Sequence, residues 1–247
     1  MTGTLLILAV LMGSAMQRLT GLGFALVAAP FLVLLIGPVN GVILVNICGA
    51  VTSASVLVRV FRHVQWRKYA VLAPSALIGI IPGAVIVHYV PGAWLELSVG
   101  ALVILSLTIG LTLRSPRRRN GLPPLVLAGS VSGLMNTTAG VGGPALSVYA
   151  IMTRWEQIPF AATMQPYFLT IGITSVTAKL LAQPSSMPQL PPWIWVSMAG
   201  AIVLGLFAGE ALAKRMPAKS ARRLMVLLAY IGSIAAAARG IWELLGL

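Results

Sequence analysis

The 247-residue chain is 58% hydrophobic and 9% charged, with a mean hydropathy of +0.96, so it cannot supply the polar surface a water-soluble domain needs. Its net charge of +13 does not mark a nucleic-acid binder, because Lys and Arg sit in short clusters at the ends of apolar segments, as the positive-inside rule requires. Four acidic residues (Glu96, Glu156, Glu210, Glu243), no Asp and a single cysteine exclude an intrachain disulfide and a Cys-rich metal site, and no cofactor is implied.

In chain order, apolar segments are expected at 3–16, 22–37, 41–60, 68–90, 94–113, 124–135, 143–153, 160–181, 193–213 and 221–242. The first lacks a basic leader and a small-residue cleavage site and reads as part of the mature protein. Six segments of about 20 residues or more can cross ~30 Å of hydrocarbon. The other four form two adjacent pairs, 3–37 and 124–153, each interrupted by polar, glycine-rich sequence. Along the spans, Cys48 reads as a packing residue, and Pro82 with Gly83 as a kink or a close helix contact. His63 and His88 lack ligand spacing. Trp66, Trp94, Trp193, Trp195 and Trp242 fall near span ends, as an aromatic belt would. Glu210 precedes Lys214 by four residues, the spacing of a local ion pair.

The chain repeats itself. Met16-Gln17-Arg18-Leu19-Thr20-Gly21-Leu22-Gly23 aligns with Met135-Asn136-Thr137-Thr138-Ala139-Gly140-Val141-Gly142 at an offset of 119, which also pairs Asn46 with Gln165. Gly79, Gly83 and Pro91 align with Gly205, Gly209 and Pro217 at an offset of 126. The fold class expected is an all-α polytopic membrane protein of two repeats. Residues 1–120 hold a hairpin at about 3–37 and spans at about 41–60, 68–90 and 94–113. Residues 121–247 hold a hairpin at about 124–153 and spans at about 160–181, 193–213 and 221–242.

Loop charge decides whether each interrupted pair crosses the membrane or turns back. If both turn back, one side receives Arg59, Arg62, Arg67, Lys68, Arg114, Arg117, Arg118, Arg119, Arg154, Lys214, Arg215, Lys219, Arg222 and Arg223, and the other only Lys179 and Arg239. Crossing pairs mix the charges, so re-entrant hairpins are expected, with basic loops in the cytoplasm and both termini periplasmic. Each half then crosses three times, so the halves are inverted, an arrangement found in secondary transporters.

Irregular backbone within a bilayer is tolerated where it lines a cavity, so the two interruptions, meeting near the midplane, are the expected substrate site. Gly21, Gly23, Gly140, Gly142 and Gly143 permit tight turns, and the half-helices beginning beside them, at Phe24 and Gly143, present unpaired N–H groups suited to an anion. Arg18 lies in the first interruption with no acidic residue beside it in sequence, which points to an oxyanion partner; snorkelling to a vestibule is the structural alternative. Gln17, Asn46, Asn136 and Gln165 form a set of repeat-related amides that could ring a polar ligand or glue helices together. Thr20, Thr137 and Thr138 add hydroxyls that could bind or cap. The glycine pairs Gly79–Gly83 and Gly205–Gly209 pack helices either within one chain or between two in a homodimer.

With Gly21-Leu22-Gly23-Phe24 and Gly140-Val141-Gly142-Gly143-Pro144 at matching places in two halves, the chain resembles the sulfite exporter TauE/SafE family over nearly its whole length. The resemblance implies a transporter of the bacterial inner membrane that exports sulfite, organosulfonates or related small sulfur-containing anions. The function expected is therefore export of a small oxyanion by alternating access. An anion channel is the second reading, since pores and carriers use the same donors. A membrane-embedded lipid-phosphate hydrolase is a weaker one, because no His or acidic residue lies near the hairpin turns.

Overall fold

A computed structural model describes residues 2–112 and 121–246; the basic residues at 114 and 117–119 lie outside this range. The described residues form ten α-helices and two single 3-10 turns. In chain order the helices are α1 (Thr2–Thr20), α2 (Gly23–Ile36), α3 (Pro38–Val60), α4 (Trp66–Tyr89), α5 (Gly92–Thr112), α6 (Leu122–Ala139), α7 (Gly143–Thr153), α8 (Gln157–Ala182), α9 (Pro192–Arg215) and α10 (Ala218–Leu244). An all-helical answer follows from the solvent, since a helix satisfies its own backbone where water cannot.

Six helices, α1, α3, α4, α5, α9 and α10, are long and apolar enough to cross a membrane. That set differs from the sequence expectation at two places. α1 runs unbroken through Gln17-Arg18-Leu19-Thr20 and so reaches spanning length, while α8, at 26 residues, is long enough but is not among them. Its polarity has a structural reason: Thr163, Gln165, Thr170 and Ser175 all face other helices and hydrogen-bond there.

Close contacts fix the relative directions of the helices. α2 folds back along α1, with Gly23 against Met16 and Gly13 against Phe24 and Ala28. α3 folds back along α2, where Gly41 meets Val33. α8 runs against α3, with Gly172 beside Asn46 and Thr163 bonded to Gln65 just beyond the end of α3. α9 runs with α1: Gly3 touches Ile194, Gly205 faces Leu11 and Ser14, and Gly209 faces Ala15 and Arg18. α6 runs with α4 in the same manner, Gly129 on Leu72 and Ser75, Gly133 on Ala76, and Gly83 on Thr137. α10 runs with α2, from Gly232 beside Pro30 to Arg239, which donates to the Leu34 carbonyl, and against α5, where Gly100 meets Ser233 and Gly240 meets Ala93. Successive helices thus reverse direction throughout, and α1 and α6 point opposite ways.

One end of the bundle therefore gathers Arg59, Arg62, Arg67, Lys68, Arg154, Lys214, Arg215, Lys219, Arg222 and Arg223. There Lys68 Nζ stands over the Trp155 ring, 3.7 Å from its centroid. At the other end the described basic residues are Lys179 and Arg239, the latter 3.6 Å from buried Glu96 and 3.1 Å from Glu243. The flanks between expose large apolar side chains such as Ile78, Ile81, Val196, Leu204 and Phe207, as a lipid-facing surface should. Of the tryptophans expected as a belt, Trp66, Trp94, Trp193 and Trp242 are exposed, and Trp195 is partly buried.

Candidate substrate site

The two chain reversals are shorter than the sequence suggests, and they share one local geometry. α1 ends at Thr20 and Gly21 takes φ +81; α6 ends at Ala139 and Gly140 takes φ +74. Both are left-handed positions, which glycine occupies without a Cβ penalty. In each case the glycine N–H bonds to the carbonyl four residues back, Gly21 to Gln17 at 2.8 Å and Gly140 to Asn136 at 2.9 Å. Gln17, Arg18 and Thr20 therefore belong to the last turns of α1, and Asn136, Thr137 and Thr138 to those of α6, rather than to irregular loops. The three threonines donate to carbonyls four residues back, Met16, Gly133 and Leu134. None of them caps a following half-helix.

The reversals do not meet at the middle of the bundle. Arg18 lies abreast of Gly209, six residues before α9 ends at Arg215, or about 9 Å from that end at 1.5 Å per residue. Thr137 lies abreast of Gly83, likewise six residues before α4 ends at Tyr89. Helices α1 and α6 thus overrun each other from opposite ends.

Between them lies a cavity of about 30 Å³, room for a water or two. Seven of the residues expected at the site line it: Gln17, Phe24, Asn46, Asn136, Gly140, Gly142 and Gly143. Also in the lining are Gly49, Ala50 and Ser53 of α3 and Phe168 of α8, which the sequence reading missed. Asn46, Gly49, Ala50 and Ser53 stand at i, i+3, i+4 and i+7, so helical spacing from Asn46 could have found them. The lining contains no titratable side chain. Its polar groups are amides whose nitrogens already donate within the protein, Ser53, and the starts of α2 and α7, where the N-cap residues Leu22 and Gly142 supply no side-chain cap. One first-turn donor is already taken, since Phe24 N–H donates to Gln17 Oε1 at 3.1 Å.

The four amides form two pairs, each joining a chain reversal to a long helix of the other half. Gln17 Nε2 donates to Gln165 Oε1 at 3.0 Å, and Gln165 Nε2 donates to the Gly21 and Ala161 carbonyls. Asn136 Nδ2 donates to Asn46 Oδ1 at 2.7 Å and reaches Ser175 Oγ at 3.1 Å, and Ser175 in turn meets Thr137 Oγ1. Gln165 stands eight residues from the start of α8, toward the basic end, and Asn46 eight residues from the start of α3, toward the other. One amide pair therefore lies toward each end of the cavity.

Arg18 packs toward α9. Its Cβ faces Gly209 of α9, it does not line the cavity, and its Nε lies 3.6 Å from Glu210 Oε2. The partner that was missing from the neighbouring sequence comes from a distant helix. Glu210 also accepts from Arg59, so it bridges α1, α3 and α9, with Lys214 adding the smallest of its electrostatic attractions from four residues on. Thr20, Gly21, Gly23, Thr137, Thr138 and Gln165 also stand behind the lining. Gly23 is there for close approach: a Cβ at this position would lie 2.7 Å from the Met16 carbonyl oxygen.

A bundle with six helices able to cross a membrane, around a small cavity whose lining has no titratable group, defines a multi-pass membrane protein. Consistent with that class, the sulfite exporter TauE/SafE family model matches residues 5–236. The chain belongs to the sulfite exporter TauE/SafE family. No curated protein and no solved structure matches it.

Proposed function

We propose that this protein is a secondary transporter of the bacterial inner membrane that exports a small sulfur-containing oxyanion, sulfite or an organosulfonate, by alternating access. Its halves, 1–120 and 121–247, are read as inverted repeats, each a re-entrant hairpin (α1–α2, α6–α7) followed by three spans. Several observations support that reading. α1 packs on α9 as α6 packs on α4, with Gly205 and Gly209 occupying the place of Gly79 and Gly83. Gly21 and Gly140 share one backbone conformation, and the two amide pairs exchange when the halves are exchanged. The charge imbalance between the two ends supports an orientation with the basic end in the cytoplasm and both termini in the periplasm.

The observation that carries the function is the cavity bounded by both reversals with an amide pair toward each of its ends. A lining without formal charge and with two helix starts, of which α2 already gives its Phe24 N–H to Gln17, supports a desolvated oxyanion held through dipoles, with no titratable group in the lining to couple a proton there. Opening Gln17–Gln165 while Asn46–Asn136 holds exposes the cavity toward the basic end, and the converse exposes it outward. An inside-negative potential itself drives an anion out, by about 2.3 kcal/mol per charge per 100 mV. The test is uptake of labelled sulfite and a short organosulfonate into inside-out vesicles. Saturable uptake with counterflow supports a carrier. Flux linear in the gradient favours a channel, and absence of uptake for both anions removes the substrate assignment.

A further inference from the structure

Away from the central cavity, the end of the bundle opposite the basic loops holds one feature that export through the cavity does not use. Lys179, in the last turn of α8, is 3% exposed. Its Nζ is buried and has no hydrogen-bond partner among the described residues. Among the described residues no carboxylate forms an ion pair with it: Glu96 and Glu243, the acidic side chains of that end, are engaged by Arg239. A buried ammonium without a counter-charge is strongly unfavourable unless something else supplies one.

The surroundings of Lys179 are those of a binding site rather than of a packed core. It lines a second, small cavity of about 10 Å³ together with His88 at the end of α4, Gln183 and Ser186 beyond α8, and apolar Val39, Ala84 and Val87. Lys179 and Ser186 are buried, while His88 and Gln183 are exposed, so the site has a buried floor and an open polar mouth. A cation, a hydroxyl and an amide among the lining residues of one small space suit a small anion, either a halide or one oxygen face of an oxyanion.

We propose that Lys179, Ser186, Gln183 and His88 form a second anion site at the end of the bundle opposite the basic loops, separate from the central cavity. Binding there completes the charge balance of Lys179 and ties the ends of α4 and α8 to the start of α3. The site stands on its own geometry and does not require the transport reading.

The experiment is thermal unfolding of the purified protein in detergent, in sodium gluconate against sodium bromide, methanesulfonate or sulfite at constant ionic strength. The wild type is expected to gain stability saturably with at least one of the three anions. Lys179→Met should lose that response yet be at least as stable as the wild type in gluconate, because an uncompensated charge has gone. Ser186→Ala should raise the half-saturating concentration by about tenfold, the worth of one hydrogen bond to a charged group, and carries the test if Lys179→Met does not fold. Asn136→Asp, which places a carboxylate in the central cavity, should leave the response intact. A response to bromide alone identifies a halide site, and one confined to methanesulfonate or sulfite identifies an oxyanion site. An equal response in wild type, Lys179→Met and Ser186→Ala overturns the proposal, as does a response lost in Asn136→Asp but kept in Lys179→Met, or none in the wild type.

Discussion

At the scale of single residues, the amides carry the most consequence, because each has two possible roles that a substitution separates. Asn136 donates to Asn46 Oδ1 at 2.7 Å in a buried setting. Asn136→Ala leaves that oxygen without its donor, at a cost of about 1–3 kcal/mol, read as a lower unfolding temperature in detergent. Asn136→Asp keeps the shape but faces any bound anion with a like charge; we expect uptake to fall at least about tenfold, as ~1.4 kcal/mol of repulsion suffices for that, at equal membrane abundance. Uptake unchanged in Asn136→Asp would move substrate binding out of the cavity. Arg18 is expected to behave differently. It faces α9 and shares Glu210 with Arg59, so Arg18→Gln should lower uptake by less than Gln17→Ala, and a complete loss in Arg18→Gln alone would return the guanidinium to the substrate's path.

At the scale of helices, the contact surfaces are built from glycine, and this gives a sharp contrast between positions that look alike in sequence. Gly205 and Gly200 lie one and a half turns apart on α9. A methyl on Gly205 would sit 2.5 Å from the Leu11 carbonyl oxygen, whereas one on Gly200 meets nothing within 4 Å. Gly205→Ala should therefore push α1 off α9 and destabilise by about 1–3 kcal/mol, while Gly200→Ala should be neutral or stabilising by up to about 1 kcal/mol; thermal unfolding of the two variants side by side decides it. The existence of ten apolar segments, the reversals at Gly21 and Gly140 and the amide set were all legible in the sequence, because apolar run length and glycine placement report directly on the bilayer and on left-handed turns. The continuation of α1 to Thr20 and of α6 to Ala139 was not. Polar residues such as Gln17 and Asn136 look like loop in a hydropathy profile, yet their partners Gln165 and Asn46 let them stay helical. The Arg18–Glu210 contact was hidden for a related reason, since the two residues are 192 positions apart in the chain and only the α1–α9 packing brings them together.

At the scale of the whole molecule, the claim with the widest consequences is the orientation, and the chain carries its own means of testing it. Its single cysteine, Cys48, is buried at 3% exposure, so a membrane-impermeant thiol reagent should leave the wild type unlabelled in intact cells. Cysteines introduced at Ser220, beside the basic end of α10, and at Gln189, in the segment between α8 and α9, then report the two sides independently. The inverted arrangement expects Gln189→Cys to label from outside in intact cells, and Ser220→Cys to label only after the membrane is opened or inverted. The helix directions make this more than a check on one loop. Because successive helices reverse, the side of any one loop fixes the side of every other, and with it the side toward which each amide pair closes the cavity. Labelling of Ser220→Cys from outside would therefore invert the whole assignment: the Lys179 end would face the cytoplasm, and an inside-negative potential would drive an anion out past the Gln17–Gln165 pair instead of past Asn46–Asn136. Labelling of both positions from one side could not be met by alternating helices at all, and would require that α9, the one helix between them, fail to cross.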